Sequence, residues 1–323
     1  MGFMAEAKSG HSMRSLSRRQ FLLFPLAGRL AGGSGYPVPG SVLVHEHVLV
    51  DFIGADQIQP GRYDPEDVIR VAVPKLQELK RWGACRLLEC TPAWLGRDPR
   101  LLRRLEEITG LELWTNTGIY GAGNHRYVPS FVRNLSAEQL ARLYIREFEQ
   151  GVEGVKPRFI KTGVNRAPLN ELDRKLIRAA ALACRETGLT IASHTPDGPA
   201  AMEQLEWIDR EQVPVNKFVW VHAQNERDHG YHRKVAELGA WVEFDGISEK
   251  SLDWHLECVR VMAQAGLLHR TLISQDAGWY HVGEPGGGNY RGYTFIYTDF
   301  LPRLEQGWAE QLLVVNPRRA FGT

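Results

Sequence analysis

Ser41-Val42-Leu43-Val44-His45-Glu46-His47 is the stretch on which the fold turns. It opens apolar and β-branched, as a strand buried on both faces does. A doubly wound nucleotide-binding sheet would follow its first strand with a Gly-rich phosphate loop. Two histidines around a glutamate stand there instead. Working outward, comparable β-rich runs occupy residues 86–91, 112–118, 159–163, 189–195, 218–223, 240–246 and 271–277. Stretches with helical spacing lie between them at 65–82, 136–150, 169–187, 199–210, 226–238 and 248–265. Several open on start signals such as Asp64-Pro65-Glu66, and Gly83, Gly188, Gly239 and Gly266 supply stops. Strands alternating with helices imply a parallel sheet, and eight of them close a TIM barrel. The expected fold is an α/β (β/α)8 barrel over residues 41–323, as one domain.

The bulk properties suit that fold. The chain has 323 residues, 43% hydrophobic and 24% charged, enough to bury a large core without covalent staples. Lys plus Arg number 39 against 38 acidic residues, so charge gives no reason to expect a nucleic-acid or anionic-membrane partner. A small-molecule substrate is the expected partner. Cys85, Cys90, Cys184 and Cys258 form no C-x-x-C pair and read as reduced structural residues.

Residues 1–40 differ in character. Ser15-Leu16-Ser17-Arg18-Arg19-Gln20-Phe21-Leu22-Leu23 looks like a twin-arginine signal, followed by a mainly apolar run at 21–27 and a Gly/Ser/Pro-rich linker at 32–40. Arg29 interrupts the apolar stretch, and no clear A-x-A site follows. The reading is export to the periplasm or beyond; the alternative is a disordered basic terminus on a cytoplasmic protein. The apolar run is far below the ~20 residues of a membrane span, and no other candidate span is visible.

Placed on the strands, the ionisable residues form a pattern. His45 and His47 end strand 1, Lys161 lies in strand 4, and His194, His222 and Asp276 end strands 5, 6 and 8. C-terminal strand ends converge on the mouth where barrel enzymes keep their sites. His45 and His47 are two apart and share a strand face, while Glu46 points the other way. One strand-end histidine alone is more often structural than functional. Four imidazoles and a carboxylate aimed into one cup suit zinc or a similar divalent ion. The other histidines lack this placement: His229 and His232 read as solvated surface, and His125 and His281 lie in loops near the mouth.

Lys161 needs its own account. A protonated lysine among metal-binding groups would repel cations. A neutral amine can instead take up carbon dioxide to give a carbamate, whose two oxygens can bridge two metals. The alternative is a Schiff-base lysine, as barrel aldolases use, but such a site has little use for four converging imidazoles.

These residues carry a family resemblance. Val44-His45-Glu46-His47 looks like the opening of the phosphotriesterase-like branch of the amidohydrolase superfamily, and Phe159-Ile160-Lys161-Thr162-Gly163 resembles its carboxylated-lysine strand. Ser193-His194-Thr195, Val221-His222 and Ile273-Ser274-Gln275-Asp276 match its other ligand strands in order; Thr91–Asp98 and Asn316–Phe321 are also similar to family segments. The resemblance implies two divalent metal ions, usually zinc, at the C-terminal mouth of the barrel. His45, His47 and Asp276 would bind the more buried ion, and His194 and His222 the more exposed one. Lys161, as N6-carboxylysine, would bridge both together with a water or hydroxide. It also implies that Asp276 takes a proton during attack on an ester, lactone or phosphoester, and that the protein is a homodimer.

Departures narrow the substrate. Phe244-Asp245-Gly246-Ile247 lacks the arginine that the family's lactonases carry just beyond strand 7, whereas Tyr120 resembles their strand-3 tyrosine. Tyr120 is thus a candidate substrate residue, or an aromatic packed under a loop. The loop from Gly278 to Arg291 offers Trp279 as a second substrate candidate and glycines that suit a lid or a plain linker. The expectation is a metal-dependent ester-bond hydrolase. A Schiff-base lyase and an exported, non-catalytic binding protein are the other two readings.

Overall fold

The computed structural model describes Gly2 and residues 35–322, so the twin-arginine-like segment lies outside the described residues. Eight barrel strands alternate with helices: β1 (Ser41–Glu46), β2 (Ala84–Glu89), β3 (Glu112–Trp114, resuming as Asn116–Thr117), β4 (Phe159–Gly163), β5 (Ile191–His194), β6 (Phe218–Val221), β7 (Trp241–Phe244) and β8 (Thr271–Ile273). All pair in parallel and in chain order, the break at Thr115 handing the third strand from β2 to β4. At the seam, His47 N–H donates to Ala277 O (2.8 Å) and Asp276 N–H to His45 O (3.1 Å). The fold is a (β/α)8 barrel.

Helices α1 (Pro65–Arg81), α2 (Pro99–Thr109), α3 (Ala137–Gln150), α4 (Glu171–Thr187), α5 (Gly198–Arg210), α6 (His229–Glu237) and α7 (Leu252–Gln264) ring the strands. The sequence reading omitted α2, although its signals match those of α1. Asp98 caps it through Leu101 N–H, Pro99 follows the cap, and Gly110 ends it with φ 62°. A short helix, Asn316–Phe321, plugs the barrel floor: Phe321 packs edge-on against Phe159, and Thr190 Oγ1 donates to Ala320 O. Among the described residues no helix is long and apolar enough to cross a membrane. All four cysteines are free; Cys85 is exposed, and the other three are buried.

Strand 8 departs most from expectation. The sequence extends it to residue 277, but the ladder stops at Ile273. Beyond that point the chain is held by a side chain. Glu46 Oε1 accepts from Ser274 Oγ and Gln275 N–H, and Oε2 accepts from Ala277 N–H (2.8, 3.0 and 2.7 Å). The segment carrying Asp276 is thereby positioned by the middle residue of the His-Glu-His motif.

Candidate metal centre

Strand alternation brings most of the site inward. Phe159, Ala192 and Trp241 share one apolar cluster in the barrel with Val42 and Val44. Two residues further along their strands come Lys161, His194 and Glu243, on the same face. By the same count β1 would point Glu46 inward, not His45. The β1–β2 register slips by one residue between Leu43 and Glu46, and this bulge re-aims the strand. His45 and His47 then meet with ring centroids 5.4 Å apart; His45 lies 4.9 Å from His222, and His222 lies 4.4 Å from His194. The parity argument from sequence reaches the right pairing, but the bulge is what delivers it.

Hydrogen bonds set the imidazole tautomers. His45 Nδ1 lies 3.0 Å from both Glu243 Oε1 and Asp245 Oδ2. Carboxylates accept, so Nδ1 carries the proton and Nε2 presents its lone pair. Asp245 Oδ1 accepts in the same way from His222 Nδ1–H, and Oδ2 accepts from His222 N–H. His47 Nδ1 donates to Thr91 Oγ1 (2.7 Å), whose own hydroxyl proton goes to Glu89 Oε1 (2.6 Å) or Leu49 O (2.8 Å). Three imidazoles therefore aim unprotonated Nε2 atoms away from their supports, the arrangement that metal-binding histidines share. Burial drives His45 down to about 3 and His194 well below the usual histidine range, so both rings are neutral at pH 7.

Asp276 completes the cup. Its Oδ1 lies 3.1 Å from His47 Nε2 and 3.7 Å from His45 Nε2, yet makes no hydrogen bond. Burial alone would raise its pKa; the surrounding His45, His47 and His222 outweigh that and hold the carboxyl below the usual range. Lys161, 2% exposed, brings Nζ to 3.4 Å from His45 Nε2. The Asp276 oxygen and the His47 lone pair thus face one another with no proton between them, and the His45 lone pair lies between that oxygen and Lys161 Nζ. That contact is repulsive unless a cation sits among them, so the donor set fits a divalent metal ion. His45, His47 and Asp276 gather ligand atoms within 4.8 Å, as do His45, His222 and Asp245. The second group is a hydrogen-bonded set, because its imidazole Nδ1 atoms are already paired with Asp245.

Backbone strain concentrates here. His222, Asp276 and Trp279 have φ of 65°, 50° and 75°, a conformation that costs non-glycine residues about 1 kcal/mol or more. Arg291 braces the strained turn: its Nη2 donates to Gln275 O and Asp276 O, and its Nη1 to Ile247 O. Gly278 is required beside it, since a Cβ there would lie 1.7 Å from His47 O.

The remaining candidates divide. Tyr120 OH lies 2.9 Å from His194 Nδ1, and the Trp279 ring lies 4.2 Å from that of His47, so both line the site. The Gly278–Arg291 loop is anchored more firmly than a lid or linker: Gly278 and Arg291 exchange backbone hydrogen bonds, and Tyr280–His281 pairs with Leu49–Val50. The loop is exposed at 283–286 and again at 288–289, on either side of the buried Gly287. His232 corrects the sequence reading. It is fully buried, with Nε2–H donating to Ala223 O and Nδ1 paired with His229. Sequence reasoning also passed over Asp245, Glu243 and Thr91. Asp245 stood in plain view at a strand end, read only for the arginine that does not follow it.

Comparison with known proteins agrees with this architecture. A profile of the phosphotriesterase family matches residues 37–321, and the chain belongs to that family. The phosphotriesterase homology protein of Escherichia coli (strain K12) is 27% identical over 293 residues, covering 87% of this chain and 98% of its own. A crystal structure of that protein, complexed with phosphate in its active site, superposes with a TM-score of 0.75 at 24% identity, covering 87% of this chain and 98% of that one. The aryldialkylphosphatase of Saccharolobus solfataricus is 28% identical over 303 residues, covering 87% and 95%. The N-acetyltaurine hydrolase of Mus musculus is 27% identical over 270 residues, covering 76% and 75%. The chain is a metal-dependent hydrolase of the phosphotriesterase type.

Proposed function

We propose that this hydrolase cleaves a carboxylic ester or lactone with two divalent ions, zinc first among them. His45, His47 and Asp276 would hold one ion, His194 and His222 the other, and Lys161 as a carbamate would bridge them. The observation that carries the reading is the unprotonated meeting of Asp276 Oδ1 with the Nε2 atoms of His45 and His47. Lys161 supports the bridge: it is buried beside His45, and carbamylation would replace a cation with an anion where cations must bind.

When bound, the ions supply Lewis acidity, acidifying a water and polarising the scissile carbonyl. The protein's own groups do the rest. Asp276, ionised and free of hydrogen bonds at Oδ1, accepts the proton of the attacking water and passes it towards the leaving group. Tyr120, through its hydroxyl at His194, and Trp279, over His47, bound the substrate space and exclude bulk water. The names of the relatives span phosphoester and amide chemistry, so the bond is decided by assay.

The test is elemental analysis of the purified protein combined with turnover on lactones, carboxylic esters, phosphotriesters and N-acyl amides. Two ions per chain, turnover abolished by chelation and restored by metal, and preference for a carbon–oxygen ester or lactone support the proposal. A phosphotriester or amide preference would overturn the bond assignment. A metal-free protein that forms a borohydride-trapped adduct on Lys161 would replace the hydrolase by a lyase.

A further inference from the structure

Aromatic contacts run round the mouth from one side of the candidate metal centre to the other. His47 meets Trp279 at 4.2 Å between centroids, Trp279 stacks on Phe52 at 5.6 Å, Phe52 meets Tyr127 at 5.9 Å, Tyr127 meets Tyr120 at 6.1 Å, and Tyr120 returns to His194 at 5.2 Å. Tyr127 is among the members furthest along this path from either histidine. Next to it in sequence stands Arg126, whose guanidinium carbon lies 5.9 Å from the Tyr127 ring centroid.

Arg126 is exposed, and among the described residues its guanidinium makes one long hydrogen bond, from Nη2 to Ile53 O at 3.4 Å, and no ion pair. The contrast with Arg62 on the adjoining loop is informative, because Arg62 is spent on both oxygens of Asp51. The segment that presents Arg126 is also fixed. Asn124 and His125 adopt left-handed φ of 55° and 62°. Asn124 N–H donates to Asn165 Oδ1, His125 Nε2 lies 2.9 Å from the buried Asp173 carboxylate, and Arg126 O accepts from Ala55 N–H. A held backbone presenting a guanidinium with free donors at the rim of an aromatic cup is a preorganised anion contact.

We infer that the substrate carries an anionic group (a carboxylate, sulfonate or phosphate) at the end remote from the bond cleaved, and that Arg126 recognises it. The inference rests on the hydrolase reading for its chemistry. The apolar middle of the substrate lies along Phe52, Tyr127 and Trp279, and the charge reaches Arg126.

The experiment uses matched esters whose far end bears either a carboxylate or the isosteric carboxamide, assayed on the metal-loaded protein. The expected ratio of kcat/KM, carboxylate over carboxamide, is about tenfold or more. It should fall towards unity in Arg126→Gln, chiefly through KM, and survive largely in Arg126→Lys. A ratio near unity in the unaltered protein, or one that persists in Arg126→Gln, would overturn the inference; persistence would mean that another cation reads the carboxylate. Dissociation constants for the corresponding ethers, which cannot be hydrolysed, read the same preference without turnover. If no ester is cleaved but the ethers keep the Arg126-dependent preference, the ester assignment fails and the anion site stands. Equal binding of both ethers would sink the site alone.

Discussion

Glu46 and Asp245 are both fully buried carboxylates at the mouth of the barrel, and they hold different things. Glu46 accepts from two backbone N–H groups and one hydroxyl on the chain beyond β8. Asp245 accepts from the side chains of His45 and His222 and from the His222 N–H. The first positions a length of main chain, and Asp276 travels with it. The second fixes two rings in one tautomer, and their lone pairs travel with it. Removing the first should cost mainly stability and the second mainly metal affinity. That asymmetry can be broken by experiment.

Asp276 is the residue that Glu46 delivers, and its loss gives the largest expected effect. Asp276→Asn keeps the volume but loses the basic oxygen, so turnover should fall by about 10²–10⁴-fold, the usual worth of a positioned general base. Elemental analysis should still find substantial metal. Unchanged turnover would refute the proton role; complete loss of metal would make Asp276 a ligand first. Glu46→Ala leaves Gln275 N–H and Ala277 N–H unpaired in the interior and opens a cavity. The expected cost is about 4 kcal/mol in denaturant unfolding. A variant with unaltered stability but a distorted metal site would reverse the assignment of Glu46.

Asp245→Asn tests the other side. An amide nitrogen facing His45 Nδ1–H or His222 Nδ1–H sets donor against donor, so at least one ring must flip its tautomer or turn. Metal affinity should drop by about 10–100-fold, with a smaller loss of stability than Glu46→Ala. Competition with a chelator of known affinity measures it. Equal metal affinity in the two proteins would remove Asp245 from the centre.

What could be read from the sequence follows the same division. The six residues His45, His47, Lys161, His194, His222 and Asp276 were legible because each lies in a strand or just beyond its C-terminal end, and strand ends converge. Their supports were less so. Asp245 matters through two histidines 200 and 23 residues away in sequence, a relation that no local spacing encodes. The bulge between Leu43 and Glu46 leaves no mark on composition, although it decides which of β1's residues face the cup. The helix α2 was legible and missed: Asp98-Pro99 and Gly110 are ordinary boundary signals. Phe52, Tyr127 and Arg126 lie in loops, where period carries no information about direction, and only the assembled barrel shows that they border the same opening.

The smallest effect concerns the prop behind His222. The left-handed turn at His222 leads into Ala223, whose carbonyl accepts from His232 Nε2–H at 2.7 Å. Burial drives His232 down to about 4 from a usual 6.5, so the folded protein prefers it neutral. The sign follows: between pH 4 and 6.5 the unfolded chain binds this proton and the folded protein does not, so its contribution is full above 6.5 and shrinks as pH falls through that window. From pH 7.5 to 5.5 the loss from this one group should be about 1 kcal/mol. His232→Gln can still donate to Ala223 O but cannot titrate. Urea unfolding at the two pH values should therefore show about 1 kcal/mol less acid destabilisation in the variant than in the unaltered protein. Parallel losses in the two proteins would mean that His232 takes up its proton without leaving the turn. The Asp245 side of the mouth would then be no more acid-sensitive through His232 than through any exposed histidine.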